Sequence, residues 1–183
     1  DPDIVMIGET RDKETAQIAI QAALTGHLVL STLHTNSACA SITRLIDMGV
    51  EPFLIASTLT VVIAQRLVRK LCEKCKESYT PTAEELRRLP NQGETLKNPA
   101  TTIFKAKGCS ACFQTGYRGR IPIFEILKTS PTIVQLTLDR ADASKIEEAA
   151  KKEGMTTLID DGIKKILSGE TTIDEVLTVA MSY

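Results

Sequence analysis

No apolar run in this chain approaches the roughly 18 residues that a membrane span needs. Its N-terminus has no basic-then-apolar leader pattern. Neither sign of charge dominates: 22 Lys and Arg face 23 Asp and Glu, for a formal net charge of −1. That balance argues against a broad nucleic-acid surface, though a local basic patch is compatible with it. There is no internal repeat and no low-complexity segment. A closed disulfide framework is a poor fit, because the five cysteines are odd in number. No Met opens the chain. Asp1 leads into an apolar segment within three residues, the pattern expected of a piece cut from something longer.

What is present is ordinary in bulk. The 183 residues are 43% apolar and 25% charged, values typical of a folded globular chain. That length suits one medium domain, alone or with a small appendage. Ile4-Val5-Met6-Ile7, closed by Gly8, predicts a buried strand. Asp12 caps an expected helix that ends at Gly26. His27 to Thr32 predicts a second buried strand. Asn36 or Ser37 caps a second helix, which Gly49 stops, and a third helix starts near Pro52. The β-branched run from Thr60 to Leu67 favours a strand. Strand, helix, strand, helix is the rhythm of a parallel α/β sheet. Only two or three strands are legible, so the rest of the sheet is expected outside the chain.

The texture changes near residue 70. Polar residues, prolines and lysines fill the stretch from Cys72 to Cys112, with one short capped helix expected at Thr82–Glu85. Gly116 to Gly119 reads as a turn. Arg120 to Leu127 reads as an edge strand because of Pro122. The tail is helical. Ser130-Pro131 and Asp142 start two helices, Leu158, Ile159, Ile163, Ile166 and Leu167 share the face of a third, and Thr172-x-x-Glu175 is a capping box for the last.

Three groupings bear on chemistry. Asp3-Ile-Val-Met-Ile-Gly-Glu9 is an apolar strand ending in an acid, the layout of a Walker B motif. A carboxylate at that strand end can hold Mg²⁺ through water or orient an attacking water. The same pattern also fits an acid that merely ends a strand. The two histidines, His27 and His34, flank the second strand. If the strands are parallel, His34 shares a sheet edge with Glu9, within reach of Glu9 or a terminal phosphate. The alternative is a loop histidine and a half-buried one. The third grouping is Cys72-x-x-Cys75 and Cys109-x-x-Cys112, separated by 33 residues. Two such knuckles can place four thiolates around one structural Zn²⁺. The competing reading, a redox dithiol, lacks its usual context. Cys39 reads as a small core residue.

Taken together these residues resemble a known family. Asp1 to Asp12, Leu24 to Asn36, Ala64-Gln-Arg-Leu-Val-Arg69, the four paired cysteines, and Gly116-Tyr-Arg-Gly-Arg120 with Glu125 closely resemble the secretion ATPases. Within them, the type II secretion and type IV pilus assembly ATPases are the most similar. The resemblance implies the C-terminal part of a RecA-like P-loop NTPase domain, a tetracysteine zinc subdomain and a C-terminal helical region. The divisions expected are 1–70, 71–127 and 128–183. It implies a hexameric motor that hydrolyses ATP with Mg²⁺, peripheral at the cytoplasmic face of the inner membrane. Its partners would be the platform and docking proteins of the machine. It implies Glu9 and His34 as catalytic residues, Glu9, Arg11, His27 and His34 as groups facing nucleotide, and Cys72, Cys75, Cys109 and Cys112 as zinc ligands. The retraction branch lacks that quartet. Two departures stand out. Thr10 replaces the family's usual Ile, and no Gly-x-x-x-x-Gly-Lys-Ser/Thr occurs in the chain. Without that loop nothing cradles the β- and γ-phosphates, so the chain alone is expected to be inactive. Two other classes stay open on the residues alone: a zinc-stabilised protein-interaction module, and a zinc ribbon that binds nucleic acid through the basic cluster near residue 70.

Overall fold

The computed structural model describes residues 2–89 and 101–180. The chain opens with β1 (Ile4–Ile7), α1 (Lys13–Leu24), β2 (Leu28–Ser31), α2 (Ala38–Asp47) and α3 (Pro52–Thr58). Then come β3 (Val61–Leu71), β4 (Glu77–Tyr79), α4 (Ala83–Arg87), β5 (Ile103–Lys105) and β6 (Tyr117–Lys128). Four helices finish it: α5 (Pro131–Leu138), α6 (Ala143–Lys152), α7 (Leu158–Leu167) and α8 (Ile173–Ala180).

Local chemistry explains most helix ends. Asp12, in extended backbone, accepts from the Thr15 N–H and starts α1. Ser37, not Asn36, plays that part for α2, Ser130 for α5 and Asp142 for α6. Thr82 and Glu85 form a complete capping box at α4. The box expected at Thr172 and Glu175 is only half made. The Glu175 N–H donates to Thr172 Oγ1 at 3.4 Å, while the Glu175 carboxylate is taken by Arg69.

The chain folds as two compact units, each discontinuous. One holds the residues up to Ala64 together with Ile126–Met155; the other holds Gln65–Glu125 and the residues from Thr156 onward. Compactness therefore groups the C-terminal helices in pairs, α5 and α6 with the early elements, α7 and α8 with the cysteine-rich insert.

In the first unit, β1 and β2 pair in parallel with Ile4 opposite Leu28 and Ile7 opposite Ser31. A parallel pair needs a crossover, and α1 supplies it. Both strands form where expected, but neither is buried. Ile4 is 59% exposed, Met6 75%, Leu28 54% and Leu30 50%. These four alternate along the two strands and share one face, which the described residues leave uncovered. An apolar run marks a strand equally well whether or not a layer covers both its faces. The core of this unit lies elsewhere, in Ala38, Cys39, Ile42, Ala64, Leu127, Ile133, Ile146 and Ala150 and in a second cluster of Ala16, Val50 and Ile55. Cys39 is thus the small core residue its sequence context suggests.

In the second unit, β4 and β5 pair antiparallel. Ile103 of β5 and Leu89 join Ile163, Ile166, Ile173, Val176 and Leu177 in one core. The polar insert between the knuckles thus completes its core with α7 and α8. Leu167 stays on the exposed side of α7. Strands β3 and β6 pair with each other. The Cys72 N–H donates to the Gly116 carbonyl at 2.9 Å and the Thr129 N–H to the Thr60 carbonyl at 3.0 Å, so the pair runs antiparallel. Strand β3 continues past Leu67 to Leu71, and β6 begins at Tyr117, inside the segment expected as a turn. Gly119 explains the difference: at φ +83 it bends the strand without ending it.

Candidate functional site

The C-terminal ends of β1 and β2 lie at the same edge of their sheet because the strands are parallel. The backbone ladder ends at Ile7 and Ser31. Beyond it, hydroxyl groups take over. Thr32 Oγ1 donates to the Gly8 carbonyl at 2.7 Å, and the Thr10 N–H donates to the Thr32 carbonyl at 2.9 Å. The buried Thr10 side chain lies 2.8 Å from Ser31 Oγ, hydroxyl to hydroxyl. The polar replacement at position 10 therefore has a partner.

Glu9 stands at this edge between a guanidinium and an imidazole. His34 Nε2 is 2.8 Å from Glu9 Oε1, and the Arg11 guanidinium meets Oε2. The hydrogen bond from Arg11 holds the Glu9 carboxyl below the usual carboxylate range, against partial burial and with help from the charges of Arg11 and His34. The carboxylate in turn raises Arg11. Glu9 is thus ionised at neutral pH. The His34 side chain is 87% exposed and faces solvent beside it. An ionised carboxylate at a strand end, each oxygen retaining acceptor capacity, can orient a water or hold a cation through one.

His27 is not brought to this cluster. It lies at the opposite end of β2, where its Nδ1 is 3.0 Å from the Ala22 carbonyl. Thr25 Oγ1 also lies 3.1 Å from Nδ1, and the ring ties the end of α1 to the start of β2. Glu9 and His34 were legible from the residues and Arg11 through the family resemblance; the bracing by Ser31 and Thr32 was not. Its one signal is a pair of hydroxyl residues just where a strand runs out.

The second grouping is the cysteine quartet, in the other unit. Their four Sγ atoms all lie within 4.8 Å of one another. Cys72–Cys109 is 4.0 Å, and Cys75–Cys112 and Cys109–Cys112 are 3.8 Å. Four thiolates at a Zn–S distance of about 2.3 Å in a tetrahedron have edges of about 3.8 Å, so the donor set fits Zn²⁺. All five cysteines are free of disulfides. The backbone shapes each knuckle. The Cys75 N–H donates to the Cys72 carbonyl and the Cys112 N–H to the Cys109 carbonyl. Cys109 and Gly116 each donate an N–H to Cys112 Sγ at 3.2 Å. Gly116 is required there, since at φ +77 a Cβ would sit 2.5 Å from Ala106 Cβ. Burial works to raise Cys112, but those two N–H donors prevail and bring it down to about 6. Cys75 is pushed up to about 12, burial being the main cause, with the Gly108 backbone N–H opposing it and the neighbouring thiols adding to it.

Sequence reasoning also missed an ion pair of the second unit, between a half-exposed Arg69 and a buried Glu175. Glu175 accepts from the Arg69 backbone N–H at 3.0 Å and from its Nε at 2.9 Å. The guanidinium sits 4.2 Å from the Tyr117 ring centroid. No helix among the described residues is long and apolar enough to cross a membrane.

The family described as Type II/IV secretion system protein matches residues 1–178. The type IV pilus assembly ATPase PilB of Thermus thermophilus is 49% identical over 177 residues, 97% of this chain and 20% of that protein. Type II secretion system protein E of Pseudomonas aeruginosa is 49% identical over 179 residues, 98% of this chain and 35% of that protein. The chain therefore spans a fifth to about a third of the length of these relatives. Among solved structures, the pilus retraction motor PilT with bound ADP matches with a TM-score of 0.63 at 24% identity, over 97% of this chain and 39% of that one, a likeness of fold. With a match that runs nearly end to end, the chain belongs to the type II/IV secretion system protein family.

Proposed function

We propose that the chain is the C-terminal portion, from the Walker B strand onward, of a RecA-like ATPase that powers type II protein secretion or type IV pilus assembly. The observation that carries this reading is Glu9, an ionised carboxylate at a parallel-sheet edge gripped by Arg11 and His34. Relatives of both kinds, secretion and pilus assembly, share 49% of its residues.

In this reading Glu9 accepts a hydrogen bond from the water that attacks the terminal phosphate of ATP and aims it along the line of attack. Arg11 keeps the carboxylate ionised, so it is ready to accept. His34 holds Glu9 through Nε2 and, being open to solvent, is placed to meet the terminal phosphate. Glu9 would hold Mg²⁺ through water, and the bound ion would offset the charge of the ATP phosphates. His27, at the far edge, braces α1 against β2. The four cysteines would hold one Zn²⁺ that crosslinks the insert, and with all four positions taken by thiolates its role would be structural. The working motor is a hexamer, peripheral at the cytoplasmic face of the inner membrane. Its partners are the platform and docking proteins of the machine. The near-zero net charge supports no nucleic-acid role.

The test is Glu9→Gln in the full-length ATPase that carries this chain. Turnover should fall by about a hundredfold or more while ATP stays bound, because water positioning is lost and phosphate contacts are kept. The 183-residue chain alone should turn over no ATP, since no Gly-x-x-x-x-Gly-Lys-Ser/Thr is present in it. Loss of ATP binding along with turnover in Glu9→Gln would count against the role given to Glu9.

A further inference from the structure

We infer that Thr32 is a positioning residue that fixes the backbone of Glu9 and sets its spacing from His34. The inference rests on the catalytic reading of Glu9 above. Glu9 lies in the segment after β1, beyond the last ladder pair of Ile7 and Ser31, where sheet hydrogen bonds no longer hold it. Two peptide groups flank its Cα. One carries the Gly8 carbonyl and the other carries the Thr10 N–H. Thr32 takes both: its Oγ1 donates to the first at 2.7 Å and its carbonyl accepts from the second at 2.9 Å. Holding both flanking peptides fixes φ and ψ of Glu9, and with them the direction in which its side chain leaves the backbone.

The same residue stands two positions before His34, so the clamp also sets where the imidazole starts. His34 Nε2 reaches Glu9 Oε1 at 2.8 Å across this short span. The Thr10–Ser31 hydroxyl pair, 2.8 Å apart, braces the clamp from the next position along each strand. A displacement of about 1 Å at a group that aims a nucleophile can cost about a hundredfold in rate. The Thr32 side-chain bond is solvent-exposed, so its contribution to global stability is small. Rate and stability should therefore respond differently to its loss.

The experiment uses the full-length ATPase with Thr32→Val, Thr32→Ser and, as a reference, Glu9→Gln. Valine keeps the shape and the backbone carbonyl but removes the hydroxyl donor. Thr32→Val should lower kcat about tenfold or more, with KM for ATP within about twofold of wild type and an unchanged Tm. Thr32→Ser restores the donor and should return kcat to within about threefold of wild type. Wild-type kcat in Thr32→Val beside an inactive Glu9→Gln overturns the inference and leaves the function of Glu9 standing. A lowered Tm in parallel with kcat, with no rescue by Thr32→Ser, makes Thr32 a structural residue only and also overturns it. If Glu9→Gln is itself fully active, the catalytic reading fails first and the positioning role falls with it.

Discussion

Arg11 and His34 act on one carboxylate from two sides, and Arg11 carries more of the effect. Its hydrogen bond is the largest influence on Glu9, and its charge adds to it. The shift is downward, so the ionised form is favoured in the fold. The contacts to Arg11 and His34 are fully present above the ordinary glutamate pKa of about 4.3 and are lost as pH falls through the lower folded value. Removing Arg11 should reverse this. In Arg11→Ala the Glu9 carboxyl should titrate at higher pH than in wild type, as followed by ¹³C NMR of the labelled side-chain carboxyl. An unchanged titration would transfer the control of Glu9 to His34 or to the strand end itself. The acid and its histidine were readable in the sequence because a strand-then-acid pattern and a histidine at the next strand end are local features, whereas Arg11 entered only through the family resemblance and its pairing with Glu9 was not read. The hydroxyl clamp joins residues 24 positions apart and has no local signature beyond its composition.

At the scale of single elements, what was legible was what the chain settles within four residues. Asp12, Ser37, Thr82, Ser130 and Asp142 each cap the helix that follows them. The failure at α8 has a long-range cause. Thr172-x-x-Glu175 has the spacing of a capping box, but Glu175 is 106 positions from Arg69, which claims its carboxylate. A guanidinium donating twice to Oε1, plus a backbone N–H on Oε2, is a stronger partner than one backbone N–H at the cap. Burial works to raise Glu175, and the hydrogen bonds and charge of Arg69 outweigh it, so its pKa is lowered. Glu175→Ala leaves the Arg69 N–H and guanidinium without their acceptor. With Arg69 half exposed, the expected loss is about 1–3 kcal/mol in a urea melt. Glu175→Gln should lose less, because the amide oxygen still accepts. The linkage follows from the sign: the pair stabilises above the ordinary glutamate pKa and its contribution disappears as pH falls through the folded value. Equal stability of wild type and Glu175→Ala at neutral pH would show the pair to be incidental. The burial of β1 and β2 was misread for a different reason. β-branched runs report a strand, while coverage depends on layers that a local pattern does not contain.

Over the whole molecule, the cores divide as the compact units do. No residue of the two clusters in the first unit belongs to the second. The second unit contains the four thiols and relies on an insert whose own apolar content is thin. Among the described residues of the insert, Leu89 and Ile103 reach its buried core, with Tyr79 and Leu86 packed beside them. A metal that binds the folded arrangement and not the open chain adds its binding free energy to folding, on the order of 10 kcal/mol in isolated zinc fingers. The insert should therefore depend on zinc far more than the first unit does. Native protein should contain one Zn²⁺ per chain by mass spectrometry. Cys109→Ser leaves three thiolates and should lose the metal. Amide exchange should then accelerate in β4, β5 and the two knuckles, while protection in α1, α2 and α6 is retained, because the buried clusters of those helices lie within the first unit. Loss of protection throughout would make the metal a global determinant of folding, and full protection without metal would make the quartet dispensable. The thiol environments sharpen the expectation for the empty site. Cys112 lies low, near 6, beside two N–H donors, and Cys75 lies high, near 12, by burial. Without metal, Cys112 is thus ionised at neutral pH and Cys75 is not, so the quartet lacks the combined charge that four metal-bound thiolates would present.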